Sequence, residues 1–162
     1  MSAEANQLLI ERFYEAFDQG DGHTMGTCYA SDVHFSDPVF PDLHGPRAEA
    51  MWQMLTEAPG ELRIELLDHD ADETSGSAHW RAHYVFSDSG RPVVNDVHAS
   101  FRFQDGLITE HRDEFDFHRW ARQALGPVGL LLGWTPMLRG TVRRKAADRL
   151  EQHTGVAQQG RH

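Results

Sequence analysis

Residues 93–117 read VVNDVHASFRFQDGLITEHRDEFDF, with apolar and polar side chains alternating on either side of Asp105 and Gly106. Alternation with a period of two is typical of strands that bury one face. An Asp-Gly pair between two such runs favours a two-residue hairpin turn. The stretch therefore predicts two antiparallel strands, over residues 93–103 and 107–117, joined by a tight turn.

The same alternation assigns side chains to the two faces of this hairpin. The inward face carries Asn95, Val97, Ala99, Phe101 and Phe103 from the first strand and His111, Asp113, Phe115 and Phe117 from the second. An aspartate among aromatic side chains must be paired or hydrogen-bonded, because burying an unpartnered charge is costly. The presence of Asp113 on this face therefore requires an explanation.

The residues upstream change from a helical period to a strand period. Helices are predicted over residues 5–18, 23–29 and 47–57, and two further strands over 62–67 and 77–86. Helices followed by consecutive antiparallel strands indicate an α+β fold with a meander sheet rather than alternating βαβ units. We expect a cone-shaped, curved antiparallel sheet (a cystatin-like roll), wrapped by N-terminal helices around one buried pocket.

The residues downstream form a C-terminal helical extension, 119–162, of the pocket domain, 1–118. Within it we predict a helix over 120–125, a Gly/Pro-rich loop, and a helix over 136–152. We expect the apolar loop to close over the pocket as a lid or to pack on a second subunit, because its leucines must be buried. A third of the basic residues lie in one short stretch of this extension: Arg139, Arg143, Arg144, Lys145 and Arg149. They indicate a solvated helix face that neutralises an acidic body, or else a phosphate- or membrane-binding patch.

Composition limits the possible partners and location. At 162 residues the chain is the size of one domain, and its net charge of −10 argues against binding nucleic acid. Its single cysteine, Cys28, excludes an internal disulfide and fits a reducing compartment. We see no targeting segment and no apolar run long enough to cross a bilayer, so we expect a soluble, cytoplasmic protein with no membrane partner.

The order of several short motifs gives the chain a resemblance to a known family. These motifs are FYEAFDQGD at 13–21, YASD at 29–32, FSDPV at 35–39, HG at 44–45 and FRFQDGLI at 101–108. Together they resemble the nuclear transport factor 2-like superfamily, and within it the SnoaL-like polyketide cyclases and ketosteroid isomerase-like proteins, over residues 5–117. The resemblance implies a cone with a pocket at its wide end and a homodimer formed through the outer face of the sheet.

The resemblance also implies candidate catalytic residues. Asp37 of the Asp-Pro-Val motif is similar in position to the aspartate that moves a proton next to a carbonyl in ketosteroid isomerases, whose apolar surroundings tune the carboxyl groups. The positions of the two oxyanion donors correspond to Phe13 and Ala99, which cannot donate, so a strict ketosteroid isomerase is not expected. An equally weighted alternative is that Asp37 only caps backbone N–H groups in an Asp-Pro turn.

The last predicted strand supplies the stronger candidates. A carboxylate on this strand of SnoaL-like cyclases and limonene epoxide hydrolases is similar in position to Asp113 and acts in acid/base chemistry. His111 is the expected partner of Asp113, and such a pair can hold one proton near neutral pH. The alternative is a buried ion pair without chemistry. The predicted substrate-binding side chains are Phe13, Trp52, Trp80, Tyr84, Asn95 and Phe115.

Eleven histidines raise the question of a metal. His79, His83 and His98 lie on the predicted outer face with Arg81 and Arg102, and these cations oppose a divalent ion. Imidazoles at strand spacing also converge poorly. We therefore expect no metal and no cofactor, and we assign this face to the dimer interface.

Three functions remain, in this order. The first is a cofactor-independent acid/base enzyme (isomerase, cyclase, dehydratase or hydrolase) acting on a small, largely apolar molecule, with Asp113, His111 and Asp37 as catalytic residues. The second is a ligand-binding or sensor domain with the same pocket. The third is a protein-interaction module that uses its outer surface.

Overall fold

The computed structural model describes residues 2–58 and 60–159, with side chains described as far as residue 155. Six helices and six strands lie in this part of the chain: α1 Ala3–Asp18, α2 Gly22–Thr27, β1 Tyr29–Ser36, β2 Leu43–His44, α3 Pro46–Glu57, β3 Leu62–Ala71, β4 Ser75–Phe86, β5 Arg91–Gln104, β6 Leu107–Glu114, α4 Phe117–Leu125, α5 Pro127–Leu132 and α6 Pro136–Gln159. The α+β prediction is confirmed.

All six strands form one sheet in the order β2-β1-β6-β5-β4-β3. β3 to β6 form an antiparallel meander, while β1 adds parallel to β6 and β2 adds antiparallel to β1. Asp105 and Gly106 both have positive φ, 53° and 78°, which the tight turn between β5 and β6 requires. The predicted hairpin is therefore present, and β1 brings a second chain segment beside β6.

The helices cover the inner face of the sheet because α1 is amphipathic. Ser2 caps its first turn by accepting a hydrogen bond from the N–H of Ala5 at 3.1 Å. Ile10, Phe13 and Phe17 recur at helical spacing and are all buried in the main core. This core lies between α1, α3 and the inner face, so the inward side chains of the sheet face a dense layer of aromatic rings.

The C-terminal extension differs in part from its prediction. The last strand ends at Glu114 rather than at residue 117, because Asp116 caps α4 by accepting from the N–H of Arg119 at 3.1 Å. Phe117 thus begins α4 and packs in a second core cluster with Trp120 and Ala121. The expected Gly/Pro-rich loop contains the short helix α5, since Pro127 stands at the first position of that helix, where its missing N–H costs nothing.

The basic helix α6 is attached to the rest of the chain. It extends to Gln159, beyond the predicted end at residue 152. Arg143 donates from Nε to the carbonyl of Pro38 at 2.9 Å, and the Arg139 guanidinium lies 5.2 Å from the centroid of the Phe117 ring. Part of the basic stretch therefore fastens α6 over the end of the cone where β1 terminates. In the described part of the chain, no helix is both long enough and apolar enough to cross a membrane.

Candidate functional site

Parallel pairing places the two candidate carboxylates side by side. Phe35 of β1 is opposite His111 of β6, and Ser36 is opposite Arg112. The next residues of the two strands are Asp37 and Asp113, at the same end of the sheet and on the face that buries His111. Two segments more than seventy residues apart thus contribute one carboxyl group each to the same region.

A chain of hydrogen bonds ends at Asp113. Trp52 Nε1 donates to Tyr29 Oη at 2.8 Å, Tyr29 Oη lies 2.7 Å from His111 Nδ1, and His111 Nε2 lies 2.8 Å from Asp113 Oδ1. Because the indole N–H can only donate, the tyrosine hydroxyl accepts there and donates its own proton to Nδ1. His111 therefore carries its proton on Nε2 and donates it to Asp113. The chain is satisfied with a neutral imidazole and an ionised carboxylate at its end.

Tyr29 stays protonated in this arrangement. Burial raises the pKa of its phenol well above the usual range, and the negative charge of Asp113 raises it further, against the lowering effect of the Trp52 hydrogen bond. A phenol that keeps its proton fixes the tautomer of His111. The His111–Asp113 pair thus has a single arrangement, in which His111 donates a hydrogen bond to Asp113.

Aromatic rings enclose this pair. His111 and Asp113 are 1% and 3% exposed, which makes them two of the few polar residues in the core. The ring centroid of His111 lies within 6.1 Å of the centroids of Phe13, Phe35, Trp52, Phe101 and Tyr29. The predicted wall residues Phe13 and Trp52 therefore surround His111, and Trp52 also orients the chain of hydrogen bonds.

Asp37 combines the two roles that the sequence left open. Its Oδ1 accepts from the N–H groups of Val39 at 2.7 Å and Phe40 at 2.5 Å, which is the turn-capping role. Burial raises the pKa of this carboxyl to about 7, and the charge of Asp113 adds to the increase, although the two backbone bonds and the Arg143 charge oppose it. Asp37 is therefore divided between its protonated and ionised forms near neutral pH, next to a carboxylate that accepts from His111.

Two more of the predicted binding residues, Tyr84 and Phe115, lie where the two core clusters meet. Tyr84 and Phe115 pack against both clusters and yet remain partly exposed, as does Val39. Tyr84 Oη accepts from Trp120 Nε1 at 2.7 Å, so its own proton is free to be donated. Asn95 lies opposite Ala82 on the inward face and is also partly exposed. These side chains border the junction between the cone and its extension.

Sequence reasoning named Trp80 as a wall residue but missed that Trp80 and Tyr14 are buried donors. Tyr14 and Trp80 are 2% and 5% exposed, their ring centroids are 5.5 Å apart, and neither Tyr14 Oη nor Trp80 Nε1 has a hydrogen-bond partner among the described residues. The charge of Asp113 contributes to a raised pKa of Tyr14, after the larger effect of burial. The replacement of the expected donors by Phe13 and Ala99 therefore does not empty the interior of donors. Their positions depend on tertiary packing, so spacing alone could not identify them.

The predicted pocket itself stays a prediction. The described part of the chain shows depressions of about 410 Å³ and 290 Å³, but they lie elsewhere. The larger is on the outer face of β1, β5 and β6, and the smaller lies between Arg47 and Glu151. The junction bordered by Tyr84 and Phe115 is covered by α4.

The predicted outer-face histidines carry ionic contacts. His79 Nε2 lies 3.1 Å from Asp96 Oδ1, which also accepts from Arg81 Nε at 3.2 Å, and the His79 and His98 rings are stacked 4.4 Å apart. His83 Nε2 lies 2.9 Å from Glu65 Oε1. The cation of Arg81 thus shares the carboxylate that would otherwise be free for a metal.

We expect Tyr29→Phe to lower the free energy of unfolding by about 2–4 kcal/mol, because it leaves His111 Nδ1 without a donor and the Trp52 N–H without an acceptor. Urea denaturation at pH 7 measures this. The matched control is Tyr14→Phe, which removes a buried hydroxyl that has no partner. Equal losses in the two variants would contradict the assigned chain of hydrogen bonds.

Solved structures with similar folds include proteins of three descriptions. A candidate polyketide cyclase from Xanthomonas campestris pv. campestris is 26% identical, with a TM-score of 0.64 over 75% of this chain and 97% of that one. An LEH-like epoxide hydrolase from M. tuberculosis is 21% identical, with a TM-score of 0.64 over 81% of this chain and 97% of that one. A Catenulispora acidiphila protein with a ketosteroid isomerase-like fold, in complex with trimethylamine, is 15% identical, with a TM-score of 0.65 over 79% and 97%. No curated protein sequence matches the chain.

These likenesses agree on the architecture. At identities near or below a quarter they bear on the fold, which is the cone of the nuclear transport factor 2-like proteins. A sequence profile goes further, because the SnoaL-like domain matches residues 10–111, which is more than half of the chain and includes Tyr29, Asp37 and His111. The chain therefore belongs to the SnoaL-like domain family.

Proposed function

We propose that this protein is a cofactor-independent acid/base enzyme acting on a small, largely apolar molecule. The observation that carries the proposal is a pair of neighbouring inward carboxyl groups in unlike environments. Asp113 accepts a hydrogen bond from His111 at 2.8 Å, whereas burial raises the pKa of Asp37 to about 7. Two carboxyl groups whose environments favour different protonation states are suited to serve as base and acid.

The proposed chemistry assigns one proton transfer to each carboxyl group. The Asp113 carboxylate takes a proton from a carbon next to a carbonyl, the C–H electron pair forms a new C=C bond, and the carbonyl π electrons move to the oxygen. The protonated Asp37 carboxyl stabilises that oxygen by donating its proton. His111 does not contact the substrate in this scheme and is a positioning residue, since both of its ring nitrogens are already bonded.

The same pair of groups can serve the reactions named for the similar structures. A cyclase or an isomerase begins by removing a proton from carbon, and an epoxide hydrolase removes one from water and returns one to the epoxide oxygen. Each reaction needs one base and one acid on a small molecule, and a metal is not required. This common requirement for one base and one acid supports the reaction class but does not identify the substrate.

We propose that the extension is the lid of this site. α4 is anchored beside the junction because Gln123 donates to the carbonyl of Val94 at 3.1 Å and accepts from its N–H at 2.8 Å. α5 is held less firmly, with Leu131 and Trp134 about 70% exposed. Opening would therefore involve α5 and α6 rather than α4, and would release the Arg143 contact at Pro38.

The reaction class can be tested without the natural substrate. 5-Nitrobenzisoxazole loses its C3 proton to a base while its N–O bond breaks, giving a coloured cyanophenolate, and a carboxylate in an apolar site accelerates this elimination. We expect saturable turnover above the rate in buffer of equal carboxylate concentration. Epoxides and β,γ-unsaturated ketones, tested in parallel, narrow the class. A rate equal to that of the buffer with every compound would refute the enzyme proposal.

A non-catalytic ligand-binding domain is the second candidate. Two buried donors, on Tyr14 and Trp80, that lack a partner in the described part of the chain favour it, because an acceptor-bearing ligand would satisfy them without any reaction. Native mass spectrometry of the purified protein separates the candidates. A bound molecule recovered unchanged after long incubation with fresh protein supports binding alone.

We also propose that the protein is a homodimer through the outer sheet face that bears His79, His83 and His98. The side chains on this face are polar, and several of them form ionic contacts with one another. The depression of about 410 Å³ lies on the same side of the sheet. Light scattering gives the mass in solution. A monomer at working concentration would contradict the proposal.

A further inference from the structure

A second polar cluster lies at the outer edge of the sheet, away from the two inward carboxyl groups. His34 of β1 is directly opposite His44 of β2, and their imidazole rings are stacked with centroids 4.4 Å apart. Asp42, which precedes β2, places Oδ1 2.7 Å from His34 Nε2 and 2.8 Å from His44 Nε2. Both ring nitrogens therefore point at one carboxylate oxygen.

The geometry points to a transition-metal site formed by His34, His44 and Asp42, and we infer that it binds Zn²⁺. One ligand atom from each residue lies within 4.8 Å of the other two. In a tetrahedral zinc site with ligands about 2.0–2.1 Å from the ion, neighbouring ligand atoms are ~3.3 Å apart. Each carboxylate–imidazole distance would thus lengthen by only about half an ångström to admit the ion, while the two imidazole nitrogens, within 4.8 Å of each other, would settle at a similar separation.

The donor set and its surroundings favour this ion. Two imidazoles and one carboxylate suit Zn²⁺ and its neighbours, whereas Ca²⁺ and Mg²⁺ require mostly oxygen ligands. The three side chains are 40% to 66% exposed, so the ion can enter from solvent and complete its coordination with water. Glu110 of β6 lies beside His34 in the sheet register and adds negative charge, which its partner Arg102 balances in part.

The other stacked histidine pair provides a comparison within the same chain. His79 and His98 are also 4.4 Å apart and His79 also contacts an aspartate, Asp96. There Arg81 occupies the same carboxylate oxygen at 3.2 Å. Since a guanidinium repels a divalent cation, we expect this pair to bind no metal.

A bound ion would connect β1 to β2. The segment between these strands, residues 37–42, contains Asp37, and its ends are joined by the His34–His44 pair. A metal bridging the two strands therefore stabilises the hairpin that holds this carboxyl group. The inference does not depend on the proposed enzyme activity, because it concerns residues on the opposite face of the sheet.

The experiment uses tag-free, full-length protein titrated with Co²⁺ and then with Zn²⁺. We expect one Co²⁺ per chain with the intense visible bands of a four-coordinate site, displaced by one equivalent of Zn²⁺, and a higher melting temperature with Zn²⁺ present. His44→Ala and Asp42→Asn should each weaken binding at least roughly tenfold. The matched control His79→Ala should bind as the wild type does.

Circular dichroism of each variant establishes that it is folded before binding is compared. No saturable binding to the wild type would overturn the inference. Wild-type affinity in both His44→Ala and Asp42→Asn would also overturn it, because the ion would then be held by other histidines. Binding lost in His79→Ala but kept in His44→Ala would move the site to the other pair and would refute the assignment.

Discussion

Replacing Asp113 by asparagine is expected to reduce turnover of 5-nitrobenzisoxazole, or of any substrate identified later, by about 10²–10⁴-fold, the usual contribution of a positioned general base. Asparagine has nearly the same shape and its amide oxygen can still accept the Nε2 proton of His111. What it loses is the ability to take a proton. The fall should therefore appear in kcat, with KM or ligand affinity little changed.

The matched control is Asp96→Asn on the opposite face of the sheet. Asp96 also accepts from a histidine, at 3.1 Å from His79, so the substitution makes the same chemical change in a similar pair without touching the interior. Activity of this variant should stay at the wild-type level. Survival of activity in Asp113→Asn would show that Asp113 is not the base, and equal losses in both variants would indicate a general effect on folding.

His111→Asn distinguishes positioning from direct catalysis within the same assay. The smaller side chain cannot span from Tyr29 to Asp113, and the carboxylate loses its donor. A residual rate well above that of Asp113→Asn is expected, because Asp113 remains able to accept a proton. A rate as low as that of Asp113→Asn would instead make the imidazole part of the proton transfer.

Local pattern predicted most of the sheet and left out the pairing that builds the site. Alternation in β4, β5 and β6 and the turn at Asp105 and Gly106 are properties of neighbouring residues, and these elements were predicted, although β6 ends at Glu114 and not at residue 117. The placement of Asp37 and Asp113 at the same end of the sheet depends on β1 joining β6 in parallel. Pairing between segments this far apart in sequence depends on the whole fold and leaves no periodic trace.

The hydrogen-bond partners in the site also divide into those that local pattern predicts and those that depend on tertiary packing. The inward position of Asp113 next to His111 followed from a period of two, and the structure confirms that both are buried. The role of Tyr29 could not be derived, because it lies at the start of a strand and meets His111 only through tertiary packing. Likewise α5 was expected to be a loop because its glycines suggested one, whereas Gly129 lets the backbone of this short helix pack directly on Ala121 of α4, a tertiary contact that local pattern does not show.

The pH dependence of stability tests the environment of Asp37. Its pKa in the folded protein is about 7, against an ordinary value of 3.8. Well below pH 3.8 the group is protonated in the folded and unfolded states and has no effect. As pH rises toward 7, the carboxyl group of Asp37 ionises in the unfolded chain but not in the folded one. This difference lowers the free energy of unfolding increasingly, by at most about 4 kcal/mol once both states are ionised.

Asp37→Asn removes this cost while keeping an oxygen that can accept from Val39 and Phe40. Between about pH 4.5 and pH 8, its free energy of unfolding should rise relative to the wild type, and above about pH 8 the difference should become constant. Asp72→Asn is the matched control, because Asp72 also caps backbone N–H groups but its hydrogen bonds from Thr74 and Ser75 lower its pKa. The free energy of unfolding of Asp72→Asn should change with pH as that of the wild type does over this range. The variant should be less stable than the wild type by a constant amount, and this difference should disappear only in more acidic solution, where Asp72 is protonated. Urea denaturation followed by tryptophan fluorescence measures both differences. If the free energies of unfolding of wild type and Asp37→Asn change with pH in parallel, Asp37 is ionised throughout this range and cannot supply the acid.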